Sequence, residues 1–110
     1  MPHIRARGID QKTLEGIAEK IVVQIAKVTQ TPHDHFTVEH IQSAYITKGG
    51  ASEAYPFIEI LWFDRGQETK TKVAAIIDNA LRPVVGEMTD ITVLFSDLRG
   101  QDYYENREHF

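Results

Sequence analysis

Met1-Pro2-His3-Ile4-Arg5-Ala6-Arg7 is the stretch from which the rest of this chain is best understood. Pro2, Ile4 and Ala6 alternate with three polar side chains, and a period of two predicts a β-strand with one polar face. Proline is tolerated at the first position of a strand, where its missing N–H costs nothing. The stretch therefore predicts an amino-terminal strand with an apolar face and a basic face.

Pro2 also permits a chemical interpretation. Aminopeptidases remove an initiator methionine when the next side chain is small, so processing after Met1 is expected to leave Pro2 with a free secondary amine. Such an amine is a base that needs no side chain, and the strand behind it would hold it rigidly. A strand-opening proline and a catalytic terminal amine both remain open at this point.

Length, composition and charge limit the classes of protein to consider. The chain has 110 residues, which predicts a single domain, and its 42% hydrophobic and 25% charged content is that of an ordinary globular protein. A net charge of -4 without a basic run argues against nucleic-acid binding. The absence of cysteine fits a reducing compartment. No apolar signal core or membrane-length stretch is present, so we expect a cytoplasmic protein with no membrane partner.

The second half of the chain repeats the first. A shift of 54 residues places Pro56 on Pro2 and Ile58 on Ile4. We therefore predict one domain, residues 1–110, made of two strand-helix-strand units at 2–47 and 55–97. The units are joined by a linker at 48–54 and followed by a tail at 98–110. Because the tail is rich in aromatic residues, we expect it to dock on this subunit or a neighbour.

Each unit contains one amphipathic helical pattern. Asp10 is the expected N-cap of the first helix and 29–32 its end, whereas 64–67 resembles a capping box for the second. Pro83 is expected to kink or end the second helix in its last turn, with Gly86 as its stop. The apolar stripes that predict the two helices are Leu14, Ile17, Ala18, Ile21, Ile25 and Val28, and then Val73, Ile76, Ile77, Ala80, Leu81 and Val84.

Two further strands complete the units. Residues 36–46 are rich in aromatic and β-branched side chains, and 90–96 alternate apolar and polar residues. Right-handed crossovers then give an α+β fold, a tandem βαβ repeat whose four-stranded mixed sheet carries both helices on one face.

The sheet face without helices must be covered by something else. His3, Arg5 and Arg7 are expected to point there, and Glu59 occupies the position in the second unit that Arg5 occupies in the first. If the two first strands are antiparallel neighbours, Arg5 and Glu59 form an ion pair, since a glutamate inside an apolar run is costly unless paired. Glu59 is then either part of a salt bridge at an interface or a catalytic group. We expect further subunits to cover this face, in a homotrimer.

The Met-Pro-His start and the two tandem units resemble the tautomerase superfamily, with its 4-oxalocrotonate tautomerase, 5-carboxymethyl-2-hydroxymuconate isomerase and macrophage migration inhibitory factor branches. The chain looks closest to a tautomerase-like branch of unknown function. The resemblance covers residues 2–97 and implies a trimer with pockets near subunit boundaries. It further implies that Pro2 is a general base or acid acting on an enolisable keto acid without a cofactor.

Arg65 is the residue that the resemblance suggests for carboxylate binding, because 63–68 is similar to a strand-to-helix junction where the superfamily keeps such an arginine. A cation near a helix amino terminus is also better explained if an anion is bound there. The alternative is that Asp64 and Glu68 neutralise Arg65. Arg5 and Arg7 are further candidates for substrate binding and for lowering the pKa of the Pro2 amine.

The sequence also departs from the superfamily pattern at several positions, and these departures leave a second function possible. Thr31 stands near the place where the migration-inhibitory branch has a lysine, and Thr92 and Leu94 replace its late tyrosine and asparagine. The alternative function is therefore a non-enzymatic trimer that uses the scaffold for binding.

Four other residues or clusters are weaker candidates for a site. His40 is either a pocket acid or a satisfied core histidine, and Tyr45 and Trp62 are either pocket walls or core aromatics. The His33-Asp34-His35 loop lacks the additional ligands of a defined metal site, so no metal is expected. With no glycine-rich phosphate-binding motif, no nucleotide cofactor is expected either.

Overall fold

The structure, a computed structural model, describes residues 2–110; the predicted processing at Met1 concerns a residue outside this range. Two short 3-10 turns, His33–His35 and Gly100–Asp102, accompany the regular elements. In chain order these elements are β1 (His3–Arg7), α1 (Gln11–Thr29), β2 (Thr37–His40), β3 (Ile46–Thr47), β4 (Gly50–Ala51), β5 (Phe57–Trp62), α2 (Gln67–Val85), β6 (Thr92–Asp97), β7 (Tyr104–Glu105) and β8 (Glu108–His109).

The four long strands form one mixed sheet in the order β2-β1-β5-β6. β1 is parallel to β2 and antiparallel to β5, and β5 is parallel to β6. Each parallel pair is the strand-helix-strand unit expected from the sequence, and the antiparallel β1–β5 pair joins the two units. The predicted α+β architecture is confirmed.

Both helices lie on the sheet face that carries the apolar side chains of β1 and β5. Ile4 and Ala6 on β1 are buried, as is every second residue of β5. Their polar neighbours face the opposite side, which we call the open face. The buried hydrophobic core consists of Ile4, Ala6, Leu14, Ile21, Ile25, Ile58, Ile60, Trp62, Val73, Ile77, Ala80 and Leu81.

The first helix begins and ends as its sequence indicates. The Asp10 carboxylate accepts a hydrogen bond from the Thr13 N–H at 3.1 Å, so Asp10 is the N-cap. Gln30 adopts a left-handed conformation with φ 54° and closes the helix by donating its N–H to the Ala26 carbonyl. This turn reverses the chain and brings Thr31 back against the core.

The second helix begins differently from the prediction. The capping box proposed at 64–67 is wrong, because the N-cap is Gly66 and no side chain of residues 2–110 caps the helix. Instead, Asp64 accepts a hydrogen bond from the Gly66 N–H at 2.9 Å and closes a turn before the helix. Pro83 lies inside the last turn, and the helix ends two residues later, at Val85, before Gly86.

The strand predicted over 36–46 is also shorter than expected, spanning only Thr37–His40. Ile41 still donates to the Ala6 carbonyl at 2.8 Å, but β1 ends at Arg7 and leaves the following residues without a partner strand. The chain instead forms a small hairpin in which β3 pairs with β4, so part of the predicted linker is ordered as a strand.

The aromatic tail packs on its own chain, which agrees with one of the two predicted alternatives. The Tyr103 and Phe110 rings lie 5.6 Å and 5.8 Å from the Phe63 ring. Asn106 and Arg107, both with positive φ, form the two-residue turn of the β7–β8 hairpin between them. In the part of the chain that the structure describes, no helix has the length and apolar character needed to cross a membrane.

Candidate active site at the Pro2 end of the sheet

Pro2 lies at the end of the sheet where β1 and β2 begin and β5 and β6 finish; we call this the Pro2 end. Its side chain is less than 2% exposed, and its carbonyl accepts a hydrogen bond from the Thr37 N–H at 3.2 Å. His3 pairs with Leu61 across the β1–β5 ladder, so the segment that follows β5 passes close to Pro2. The sheet therefore brings the start of the first unit next to the strand-to-helix junction of the second.

Arg65 belongs to that junction, and its side chain is held by three groups. The Nη1 atom donates to the Phe63 carbonyl at 3.0 Å, and Nη2 donates to the Thr31 hydroxyl at 3.3 Å. The guanidinium carbon also lies 5.4 Å from the centre of the Trp62 ring, within the range of a cation–π contact. Arg65 is thus fixed in place by residues from both units.

The carboxylates near Arg65 in sequence are occupied by other cations. Asp64 lies 3.6 Å from the Lys70 ammonium, and Glu68 lies 3.5 Å from that of Lys72. Among residues 2–110, Arg65 makes no ion pair. Among residues 2–110, Asp64 and Glu68 therefore pair with lysines and form no ion pair with Arg65.

Trp62 is a core residue that serves as the platform under Arg65. It is fully buried, and its indole N–H donates to Asp97 at 2.9 Å. The other Asp97 oxygen accepts from Lys70 at 2.7 Å, and this hydrogen bond lowers the pKa of Asp97 below its usual value. Burial acts in the opposite direction and raises the pKa of Asp97, but the effect of Lys70 is larger.

A cleft of about 330 Å³ opens at the Pro2 end between the His33–His35 turn and the tail. Thr37, which bonds the Pro2 carbonyl, forms part of its wall, and so do the two rings that pack on Phe63. Tyr103, Glu105 and Phe110 were not expected from the sequence to line a site, although the aromatic content of the tail was a signal that it docks. The full lining is Asp34, His35, Thr37, Tyr103, Glu105 and Phe110.

Arg5, Arg7 and Glu59 lie on the open face, where the predicted ion pair is present. The Arg5 Nη1 and Glu59 Oε1 atoms are 3.3 Å apart, the Arg7 Nη2 atom is 3.9 Å from the same oxygen, and Ser96 donates to the other oxygen at 3.2 Å. Arg7 is the last residue of β1, and Pro2 comes directly before its first residue. Pro2 and Arg7 are therefore separated by about 16 Å along the strand. Within one subunit, Arg7 and Pro2 do not belong to the same small pocket.

His3 and Glu39 extend the charged network toward the sheet edge. A His3 ring nitrogen lies 3.0 Å from Glu39, and the Arg5 Nε atom lies 3.4 Å from the same carboxylate. The hydrogen bond from His3 is the main reason that the pKa of Glu39 lies below its usual value, and the Arg5 charge adds to it. The β1 side chains of the open face are therefore held in a network with two carboxylates, Glu39 and Glu59.

His40 and Tyr45 lie at the opposite end of the sheet from Pro2. His40 aligns with Ala6 near the end of β1, and its Nε2 atom lies 2.8 Å from the Ile9 carbonyl. The Tyr45 hydroxyl donates to the Tyr55 carbonyl at 2.9 Å, and burial raises the pKa of Tyr45. Neither side chain lines the cleft at the Pro2 end, and the described lining of that cleft also includes neither Pro2 nor Arg65.

Comparison with known structures identifies the fold that this architecture represents. A macrophage migration inhibitory factor-like protein from Entamoeba histolytica superposes with a TM-score of 0.76, at 15% identity over 99% of this chain and 98% of the other. A wild-type fused 4-OT, described as an asymmetric trimer, has a TM-score of 0.81 at 11% identity, over 97% of this chain and 94% of that one. The fold is that of the tautomerase superfamily.

By its sequence, the chain belongs to the family described as Domain of unknown function (DUF1904), which it matches over residues 1–109. The crystal structure of such a domain from Sebaldella termitidis is 30% identical and has a TM-score of 0.92, with 100% of each chain covered. No curated protein matches the sequence. In residues 2–110, no group of three or more histidine, cysteine, aspartate or glutamate side chains is arranged to hold a metal ion.

Proposed function

We propose that this protein is a cofactor-independent tautomerase or isomerase that acts on an enolisable 2-keto acid, with Pro2 as general base. The observation that carries the proposal is the position of Arg65, a cation without a carboxylate partner among residues 2–110, at the same end of the sheet as Pro2. Arg65 is the proposed anchor of the substrate carboxylate, because a guanidinium grips a carboxylate through two parallel N–H groups.

The proposed reaction moves one proton. The Pro2 amine removes a proton from the carbon next to the keto group, and the electron pair of that C–H bond forms the C=C bond of the enolate. The charge on the keto oxygen is stabilised by nearby N–H donors. The ammonium then returns the proton to oxygen to give the enol, and the steps reverse for ketonisation.

The amine must be unprotonated to begin this reaction. An ordinary chain-terminal amine has a pKa of about 7.7 to 8.0, and a proline amine is more basic, so the site has to lower it. Burial and nearby cations both disfavour an ammonium ion. The buried Pro2 ring and the placement of Arg65 at the same end of the sheet support this requirement.

The proposal also requires that Pro2 be the first residue of the mature chain, because an amide nitrogen is not a base. Intact-mass spectrometry of untagged protein is expected to give the mass of a chain that begins at Pro2. A mass that includes Met1 would exclude Pro2 as the base.

We also propose a homotrimer as the working form. The charged open face, which no element of residues 2–110 covers, supports association, as does the trimer described for the fused 4-OT of similar fold. In such an assembly Arg5 and Arg7 would approach groups of a neighbouring subunit. We therefore retain them as proposed contributors to substrate binding across the boundary.

A non-enzymatic binding trimer is the second candidate function. The observations that favour it are the nearly complete burial of the Pro2 ring and the internal hydrogen bonds of Arg65. Both are also expected of a scaffold in which these residues only stabilise the fold.

Ketonisation of phenylenolpyruvate, followed as a function of pH, distinguishes the two functions. Pro2→Gly is expected to lower kcat by at least tenfold, since general base catalysis is worth about 100-fold or more. Arg65→Ala is expected to raise KM, or to lower kcat if its contact strengthens in the transition state. Gln11→Ala is the matched control, because Gln11 corresponds to Arg65 in the first unit and lies at the other end of the sheet.

Two results would count against the enzyme. If Pro2→Gly and Arg65→Ala both leave a measurable wild-type rate unchanged, the mechanism is wrong. If the wild type is inert with a panel of enolisable keto acids, the binding trimer replaces the enzyme as the proposed function.

A further inference from the structure

Thr31 is the only buried polar side chain among residues 2–110, at 8% exposure. The left-handed Gln30 turns the chain after α1, and the Thr31 N–H donates to the Ala26 carbonyl at 3.1 Å. This geometry directs Thr31 into the interior at the Pro2 end. Burying a hydroxyl there costs free energy unless it is hydrogen-bonded, so its partners indicate its role.

The partners of the Thr31 hydroxyl come from both units. It donates to the Thr29 carbonyl at 3.4 Å and accepts from the Arg65 Nη2 atom at 3.3 Å. A hydroxyl has one donor and two acceptor sites, so it makes both bonds at once. The two bonds are of similar length, but the bond to Thr29 is local, whereas the bond to Arg65 joins residues 34 positions apart.

We call the three contacts of the guanidinium the Arg65 clamp: the Thr31 hydroxyl, the Phe63 carbonyl and the Trp62 ring. Phe63 and Thr31 bind different nitrogens of the guanidinium, Nη1 and Nη2, and the Trp62 ring packs against the guanidinium group. Trp62 is itself fixed by Asp97, which Lys70 holds in turn. The clamp therefore restricts both the tilt and the rotation of the guanidinium.

Among residues 2–110, the clamp leaves donors of the guanidinium without another hydrogen-bond partner, so they are available to a ligand. A guanidinium has five N–H groups, and two of them are engaged by Phe63 and Thr31. Because the guanidinium is planar, fixing these two N–H groups also fixes the direction of the other three. A guanidinium that is already oriented loses less conformational entropy when it binds a carboxylate.

We propose that Thr31 is a positioning residue, whose hydroxyl orients Arg65 for a carboxylate ligand. The inference deepens the proposed function, on which the identity of the ligand as a carboxylate rests. It assigns no contact between Thr31 and the substrate. Its consequence is that the end of the first unit's helix sets the geometry of the binding arginine in the second unit.

Thr31→Val tests this inference, because valine has nearly the same shape and lacks the hydroxyl. Thr31→Ser is the matched control, because it retains the hydroxyl and lacks the methyl group. The first measurement is the order of the Arg65 Nε–H bond by nitrogen-15 relaxation, which requires no ligand. We expect a rigid signal in the wild type and Thr31→Ser, and a mobile one in Thr31→Val.

The second measurement is the Kd of phenylacetate, a carboxylate without a keto group to react. We expect Thr31→Val to bind it about tenfold more weakly, as loss of a hydrogen bond to a charged group implies, and Thr31→Ser to bind as the wild type does. In an Arg65→Ala background, Thr31→Val is expected to have no further effect on Kd. Thermal unfolding of each variant confirms that it is folded.

An Arg65 signal in Thr31→Val as rigid as in the wild type overturns the inference, whatever phenylacetate does. So does a loss of affinity that persists in the Arg65→Ala background, because Thr31 would then act elsewhere. Neither measurement uses turnover. If Pro2→Gly leaves catalysis unchanged while Thr31→Val releases Arg65, the proposed reaction fails and the clamp stands.

Discussion

Arg5 and Glu59 face each other across the antiparallel β1–β5 pair, with Nη1 and Oε1 3.3 Å apart. They are 54 residues apart, which is the spacing of the sequence repeat, so they are also equivalent positions of the two units. The approximate two-fold axis between the units therefore passes beside this ion pair. Identical charges here would repel across the strands, whereas the opposite charges stabilise the central pairing of the sheet.

Glu59→Gln is expected to destabilise the protein by about 1 to 2 kcal/mol, because two arginines lose their common carboxylate. Urea unfolding at a fixed chain concentration measures the effect. Glu39→Gln is the control, since the Glu39 side chain is 47% exposed and that of Glu59 only 19%. Equal losses for the two variants would contradict a special role for the central pair.

Association through the open face is tested by Leu94→Asp. Leu94 aligns with Glu59 in the β5–β6 register and is 45% exposed, so an added carboxylate would be buried in an interface on this face. Light scattering is expected to report three chains for the wild type and smaller species for Leu94→Asp. Met88→Asp is the control, because Met88 is 95% exposed outside the sheet. A wild-type monomer at micromolar concentration would contradict the trimer.

Local sequence signals predicted most of the fold. Asp10 capped its helix as expected, and the alternation in β1 assigned its side chains to the correct faces. These features depend on residues close together in the chain and on a regular period of apolar residues, and both can be recognised in the amino-acid sequence. The ion pair of Arg5 and Glu59 also followed, because the repeat supplied the register.

Features that depend on residues distant in the sequence, or on competition between neighbouring turns, were harder to predict. The second strand was predicted too long because its propensity continues past His40, whereas β1 stops at Arg7. The role of Gly66 as N-cap was missed because Asp64 closes the preceding turn instead. The contact of Thr31 with Arg65 joins two units and has no signal in either local pattern.

Asp97→Asn is expected to destabilise the protein near pH 7, and the difference from the wild type is expected to narrow in acid. The hydrogen bond from Lys70 lowers the pKa of Asp97 from its ordinary value of 3.8. A carboxyl group whose pKa is lowered by folding contributes stability above its unfolded pKa, and that contribution disappears as pH falls through the lower, folded value. The relevant window therefore lies below about pH 4.

Urea unfolding of the wild type and Asp97→Asn at pH 7 and at pH 3 provides the comparison. Asparagine keeps an acceptor for the Trp62 indole, so the variant removes mainly the charge. Asp102→Asn is the control, because its pair with Arg99 is exposed on both sides. A difference for Asp97→Asn that is the same at both pH values would contradict an electrostatic origin.

Gly8→Ala is expected to destabilise the protein by about 2 to 5 kcal/mol, through backbone strain and overpacking together. Gly8 has a φ of 76°, and a Cβ atom there would lie 1.9 Å from the Tyr55 carbonyl oxygen and 2.8 Å from the Tyr45 hydroxyl. Gly16→Ala is the matched control, because it lies inside α1 and its Cβ would meet no described atom within 4 Å outside the adjacent helix backbone. That variant is expected to gain about 0.5 to 1 kcal/mol from helix propensity. Thermal or urea unfolding measures both.

Gly8→Asn separates the two causes, since asparagine tolerates a positive φ but still carries a Cβ atom. If Gly8→Asn is as stable as the wild type, the close approach of Gly8 to Tyr55 is wrong; if it is as unstable as Gly8→Ala, the contact rather than the φ angle fixes glycine at this turn.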